Sequence, residues 1–298
     1  MTKMAFIGLG TMGYPMAGHL ASAGNTVSVY NRTSSKATSW ASEYNGNAVG
    51  TLAEAVQDAD AVMICAGRDA DVDSLMTRDD GILANVRPGT LIIDHTTTSA
   101  LLAENMAATS AQSGAIFIDA PVSGGEQGAI NGQLSVMVGC HETNFEPMKA
   151  LTAPYTKSIA RMGEVGCGQK AKMVNQICIA GLVQGLSEGL NFAMENGLDP
   201  HQVIDVIQNG AAGSWQMTNR HKTMVADEYD HGFAIDWMRK DLGICLDQAN
   251  RSGVALPVTA LVDQFYAETQ QMGGGRWDTS ALLKRLQRFK QAPSDTEQ

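Results

Sequence analysis

Gly8, Gly10 and Gly13 form a GxGxxG triplet that follows the apolar run Met4 to Leu9 and opens a helical pattern. A strand, a tight glycine turn and a helix N-terminus in that order aim backbone N–H groups and the positive end of a helix dipole at an anion, as a dinucleotide pyrophosphate requires. A bare triplet is a weak signal, because any tight turn uses glycine. Here strand, turn, helix and a second strand ending at Tyr30 fall in one compact unit. The segment from Gly8 through Leu9, Gly10, Thr11 and Met12 to Gly13 is therefore assigned to cofactor binding.

The end of that second strand carries an acid in NAD-binding proteins, where it bonds the adenosine ribose. This chain has Asn31, Arg32 and Thr33 there. A carboxylate would repel the 2′-phosphate of NADP, whereas a guanidinium forms charge-assisted bonds to it. These three residues are read as the adenosine end of the cofactor site, with NADP favoured and NAD the alternative. An ordinary solvated arginine is the bland reading of Arg32, and its position after the loop argues against it.

Hydride chemistry on a carbonyl leaves an alkoxide, so a proton donor must sit beside the oxygen, and the reverse reaction needs the same group as a base. Lys172 is the candidate. It lies just past the glycine-rich segment Gly163 to Gly168, at the start of a long helical pattern, where partial burial would move its pKa toward a useful range. Asn175 and Gln176 follow three and four residues on and share its helix face, so they are placed as groups that bond the substrate or orient the amine; Lys170 does not share that face. Ser123, Gly124 and Gly125 follow a strand ending at Val122, at the edge where open α/β sheets collect ligands. A hydroxyl and bare amides there would hold a substrate carboxylate, against the alternative of an ordinary strand-to-loop turn.

Positioning these groups requires a sheet. From Met1 to about Gly163 short apolar runs alternate with amphipathic stretches, the pattern of βα units on a parallel sheet. Strands are predicted at Met4 to Ile7, Thr26 to Tyr30, Ala61 to Ala66, Thr90 to Asp94, Ile116 to Val122, Leu134 to Val138 and Ser158 to Arg161. Thr51 and Glu54 have the spacing of a capping box, and Pro88 with Gly89 turns the chain into the next strand. Beyond Gly168 helical periods take over as far as Phe289.

Val174, Ile177, Cys178, Gly181, Leu182, Gly185 and Gly189 recur at three- and four-residue intervals, which predicts one long amphipathic helix within Ala171 to Met194. Its glycines would let another helix approach closely. The fold class is α/β: a Rossmann-type doubly wound sheet over 1–163, a long interdomain helix over 164–196 and an all-helical C-terminal domain over 197–298. The polar tail after Gln291 is expected to fray.

A length of 298 residues suits two domains, and 44% hydrophobic with 17% charged residues suits packed cores. The formal charge of −10, from 31 acids and 21 bases with no basic run, argues against a nucleic-acid partner. Five cysteines without a CxxC pair read as reduced thiols. No metal is expected, because the six histidines lack ligand spacing and no carboxylate cluster stands out. The apolar stretch Met4 to Leu9 is too short for a signal peptide, and no run reaches the roughly 18 apolar residues of a membrane span. A cytoplasmic location is the expectation.

Phe6 to Met16, FIGLGTMGYPM, resembles the β-hydroxyacid dehydrogenase family, which includes 3-hydroxyisobutyrate dehydrogenase, tartronate semialdehyde reductase and glyoxylate/succinic semialdehyde reductase. Three further stretches share the resemblance in order: Asp119 to Gly125 (DAPVSGG), Gly163 to Asn175 (GEVGCGQKAKMVN) and Phe233 to Leu242 (FAIDWMRKDL). The resemblance implies an NADP- or NAD-dependent oxidoreductase interconverting a small β-hydroxy acid and its semialdehyde. It makes Lys172 catalytic and the Ser123 segment a carboxylate site. It places Thr97 at the nicotinamide end and Lys240 against the cofactor, and it implies a homodimer or homotetramer.

The stretch around Thr97 reads DHTTT, where the family more often has serine and a residue other than His95, so helix capping is the competing role. Lys240 could instead form a plain i,i+4 pair with Asp236. Trp215 reads equally as a pocket wall and as a core tryptophan. Imine reductases resemble relatives of this family that typically lack the lysine, so Lys172 favours a carbonyl substrate. A non-catalytic NADP-binding module is opposed by Lys172 and Ser123 together.

Overall fold

The computed structural model describes residues 1–288. Phe289 and the polar tail after Gln291 lie outside the described residues. The chain divides into two compact units, Met1–Val174 and the residues from Asn175 onward, and the division falls inside a single helix, Cys167–Glu195.

The first unit holds one sheet built from β1 (Lys3–Ile7), β2 (Thr26–Tyr30), β3 (Asn47–Ala48), β4 (Ala61–Ile64), β5 (Leu91–Asp94), β6 (Ile116–Asp119), β7 (Val122–Ser123), β8 (Leu134–Gly139) and β9 (Thr156–Gly163). Neighbours follow the order β3-β2-β1-β4-β5-β6-β8-β7, with β9 paired to β8. The first six strands are parallel. Their C-terminal ends therefore bring Gly8, Asn31, Cys65, His95 and Ala120 to one edge of the sheet. The strand order reverses direction between β1 and β4, the position at which open α/β sheets take their ligands.

Period-two alternation sends Phe6, Val27, Val29, Met63, Ile93 and Ile118 into one core and Ala5, Ile7, Val62, Ile64, Ile92 and Phe117 into another. The sheet is thus buried on both faces, as a doubly wound sheet must be. Thr51 and Glu54 form the expected capping box: the Glu54 amide donates to the Thr51 hydroxyl at 3.2 Å, and the Thr51 amide donates to the Glu54 carboxylate at 3.2 Å.

Two features depart from the predicted strands. Ile116 to Val122 is not one strand, because Pro121 has no N–H to give a ladder and the run breaks into β6 and β7. The sheet is also not wholly parallel, since β8 runs antiparallel to β6 and β7. Residues 124–133 are fewer than the dozen or more that a parallel crossover needs, so the chain turns straight back. β3 escapes a pattern search because it is two exposed residues long.

In the second unit Ala180, Val183, Leu186 and Leu190 of the long helix pack with Met238 and Leu242 from Ile235–Ser252, and with Val262 and Tyr266 from Pro257–Gln271. The long helix is also apolar enough, by length and composition, to cross a membrane; its mean hydropathy reaches 1.3 and 39% of that window is buried inside the protein. None of the five cysteines forms a disulfide, and Cys178 is exposed.

Candidate active site

Each loop glycine has a separate steric reason. Gly8 has φ +99°, and a Cβ there would lie 2.3 Å from the Cys65 carbonyl oxygen on the neighbouring strand end. A Cβ on Gly13 would lie 2.0 Å from the Gly8 oxygen, so only glycine lets the helix Gly13–Ser22 pack against the loop. A Cβ on Gly10 would meet nothing within 4 Å. That open cradle is the space a diphosphate needs, above a helix whose N-cap, Met12, supplies no side-chain cap to its amides. Leu9 is buried beneath the turn, while Gly10 and Thr11 are exposed.

The loop is tied to the end of β2 by Asn31, whose Oδ1 accepts from the Leu9 amide at 2.9 Å and whose Nδ2 donates to the Thr33 oxygen at 3.0 Å. Arg32 and Thr33 are exposed beside it. A shallow groove of about 330 Å³ runs past Leu9, Gly10 and Thr11 to Ser35, Lys36 and Ser39. Lys36, which sequence spacing does not single out, lies four residues beyond Arg32 and lines this groove from the first turn of the helix Ser34–Tyr44.

At the end of β5 the helix Ala100–Gln112 is capped by Ser99, whose hydroxyl accepts from the Leu102 amide at 3.1 Å. Helix capping is therefore not the role of Thr97, which is half-buried two residues earlier. His95 is buried; its Nδ1 lies 2.7 Å from the Ala120 oxygen and its Nε2 2.8 Å from the Tyr155 hydroxyl. A carbonyl only accepts, so the proton is assigned to Nδ1, and Nε2 accepts from Tyr155. Burial lowers its pKa to about 4, with the Ala120 bond opposing the shift. His95 is neutral near pH 7 and acts as a strut, not a proton donor.

Ser123 ends β7 half-buried, and Gly124 and Gly125 follow it exposed with φ of 135° and 61°. No side chain lies within 4 Å of where a Gly125 Cβ would stand, so its backbone is open to a ligand. Lys172 stands in the second turn of the helix Cys167–Glu195 and is 7% exposed. That helix extends beyond the periodic window Ala171 to Met194 at its start and lies within the expected 164–196. Asp119 at the end of β6 accepts from the Gly166 amide at 2.7 Å and from the Gln169 amide at 2.8 Å. Burial raises the Asp119 pKa to about 6, against the opposing pull of these N–H donors.

In the second unit Asn175 Nδ2 donates to Gln176 Oε1 at 2.7 Å, and Gln176 Nε2 donates to Asp241 Oδ2 at 2.6 Å. Lys240 Nζ lies 3.0 Å from Asp241 Oδ1. Asp241 thus gathers Gln176 and Lys240, a role its place beside Lys240 in the sequence had not assigned. Asp236, the partner of Lys240 in the competing reading, accepts from Gln270 at 2.5 Å. Trp215 is 54% exposed under the Arg220 guanidinium, which lies 5.0 Å from its ring, so the core reading of this tryptophan fails. Among the described residues no group of three or more His, Cys, Asp or Glu could hold a metal ion.

Residues 3–163 match the NAD binding domain of 6-phosphogluconate dehydrogenase, and residues 166–286 match the NAD-binding domain of NADP-dependent 3-hydroxyisobutyrate dehydrogenase. The chain is 54% identical to a protein of Shewanella frigidimarina (strain NCIMB 400) named only as an uncharacterized oxidoreductase, over 97% of this chain and 100% of that one. It is 33% identical to the 2-hydroxy-3-oxopropionate reductase of Escherichia coli (strain K12), over 96% of this chain and 97% of the relative. Among solved structures, the 3-hydroxyisobutyrate dehydrogenase of Mycobacterium tuberculosis with L-serine superposes with a TM-score of 0.86 at 29% identity, covering 96% and 99% of the two chains.

Proposed function

The chain belongs to the β-hydroxyacid dehydrogenase family, an NAD(P)-dependent oxidoreductase family, and from that premise we propose that it interconverts a small β-hydroxy acid and its semialdehyde with NADP(H). The observation that carries this reading is Lys172, an amine side chain 7% exposed in the second turn of a helix anchored at the ligand edge of the sheet. In the direction of reduction Lys172 donates a proton to the substrate oxygen; in the direction of oxidation it takes the hydroxyl proton. Gly8, Gly10 and Gly13 would hold the diphosphate of a nicotinamide dinucleotide, which would supply or receive a hydride. Ser123 and the open backbone of Gly124 and Gly125 hold the substrate carboxylate, and Thr97 lines the nicotinamide end.

NADP is favoured over NAD by Arg32 and Lys36 and by the lack of an acid at the end of β2. We read the long helix as a core element of a homo-oligomer, not a membrane span. Leu182 and Phe192 on it and Val258 and Leu261 on Pro257–Gln271 are exposed, and Gly185 and Gly189 leave room for another helix.

Oxidation of NADPH and NADH, measured in parallel with glyoxylate, succinic semialdehyde, methylmalonate semialdehyde and tartronate semialdehyde and with an imine control, tests the reading. We expect turnover of at least one aldehyde acid, faster with NADPH. Preference for NADH would remove the Arg32 argument, and turnover of the imine alone would replace the carbonyl reading.

A further inference from the structure

Four buried hydrogen bonds converge at the start of the lysine-bearing helix. The Asp119 carboxylate, 0% exposed, accepts the Gly166 amide on Oδ1 and the Gln169 amide on Oδ2. The Gln169 side chain, also 0% exposed, donates from Nε2 to the Thr96 oxygen at 2.8 Å and accepts on Oε1 from the Thr98 amide at 3.1 Å. One primary amide therefore clips the two peptide groups that flank Thr97.

Space around the junction is kept clear by two glycines. A Cβ on Gly139, the partner of Asp119 across the β6–β8 pairing, would lie 2.2 Å from Asp119 Oδ1. A Cβ on Gly168 would lie 2.8 Å from Asp119 Oδ2 and 2.5 Å from the Met137 oxygen. A carboxylate at a helix N-terminus also complements the helix dipole. Lys172 is three residues past Gln169 and four past Gly168, so it rides on the turn these bonds immobilise.

We infer that Asp119 and Gln169 are positioning residues, which fix the spacing between Lys172 and the Thr97 segment so that both are aligned for the same proton and hydride transfer. Neither touches the reacting atoms. The inference rests on the reading of Lys172 as the proton-carrying group. A buried polar network of this kind holds side chains to a fraction of an ångström, and a misplacement of about 1 Å costs on the order of 100-fold in rate.

The test compares Gln169→Leu, which loses both amide bonds, with Gln169→Glu, which keeps an acceptor for the Thr98 amide and loses the donor to Thr96. Thr152→Val, which removes a buried hydroxyl bond to the Met148 oxygen elsewhere in the first unit, reports on stability alone. For each variant kcat, KM for the best aldehyde acid, NADPH affinity by fluorescence and the unfolding temperature are measured. We expect kcat to fall at least about tenfold in Gln169→Leu and by less in Gln169→Glu, with KM and NADPH affinity within about threefold of wild type. Thr152→Val should lower the unfolding temperature and leave kcat unchanged. The inference is overturned if Gln169→Glu, or a folded Gln169→Leu, keeps wild-type kcat, or if Thr152→Val loses kcat in proportion to its stability. Full activity in Lys172→Ala would overturn the underlying reading instead, so the two failures are distinct.

Discussion

Asn31 accepts a hydrogen bond from the amide of Leu9 across 2.9 Å, joining the end of β2 to the glycine loop. Its amide nitrogen Nδ2 donates to the Thr33 oxygen, so the side chain is engaged with the protein backbone. On the proposed reading, recognition of the adenosine end falls to its neighbours. Arg32 and Lys36 are the cations available there, without the carboxylate that would favour a free 2′-hydroxyl.

Replacing Arg32 should shift cofactor choice. A charge-assisted bond contributes about 1.5–3 kcal/mol, so Arg32→Ala is expected to lower kcat/KM for NADPH by about 10- to 100-fold and leave that for NADH within about threefold. Lys36→Ala should act in the same direction more weakly. Unchanged selectivity in the double variant would show that neither cation reads the phosphate.

The loop glycines should separate folding from binding. Gly10 has open space where a side chain would go, so Gly10→Ala should keep the unfolding temperature within about 2 °C while NADPH affinity drops at least about tenfold. Gly13→Ala forces a methyl to within 2.0 Å of the Gly8 oxygen, and overpacking of this kind costs about 1–3 kcal/mol. Its unfolding temperature should fall by several degrees, read by calorimetry without cofactor. Equal effects of the two substitutions on stability would contradict the division of roles.

His95 should make stability depend on pH. Its folded pKa is lowered to about 4 from 6.5, so its contribution is present above pH 6.5 and is lost as pH falls toward 4, because the unfolded chain takes up the proton first. Between pH 7.5 and pH 5.0 the loss is about 2 kcal/mol. Asp119, with a raised pKa of about 6, contributes in the opposite sense, its share being lost as pH rises through 6. That share is common to wild type and His95→Gln and cancels in their difference. Urea denaturation should show the wild-type advantage over His95→Gln shrinking by about 2 kcal/mol on acidification; a constant gap would mean that His95 is not buried neutral.

The parts of this molecule legible in the sequence are those written in local spacing. Gly8, Gly10 and Gly13 announce their turn, Thr51 and Glu54 their capping box, and the three- and four-residue periods beyond Gly168 their helix. The connections that place Lys172 are not local. Asp119 and Gly166 are 47 residues apart, and Gln169 and Thr96 are 73 apart, so these bonds have no signal in local spacing. Asp241 was overlooked for a different reason: an acid next to a lysine on a helix looks like surface charge until Gln176 is seen bonded to it. The return of β8 against β6 could have been foreseen from the short connection after Ser123.

The most direct measurement is the single-turnover rate of NADPH oxidation by wild type and Lys172→Ala with the best aldehyde acid, alongside NADPH binding to both. General acid–base groups contribute about 10²–10⁴-fold, so we expect the variant to bind NADPH with near wild-type affinity and to reduce the aldehyde at least about 100-fold more slowly. A Lys172→Ala enzyme that reduces the aldehyde at the wild-type rate would contradict the assignment of the proton to Lys172.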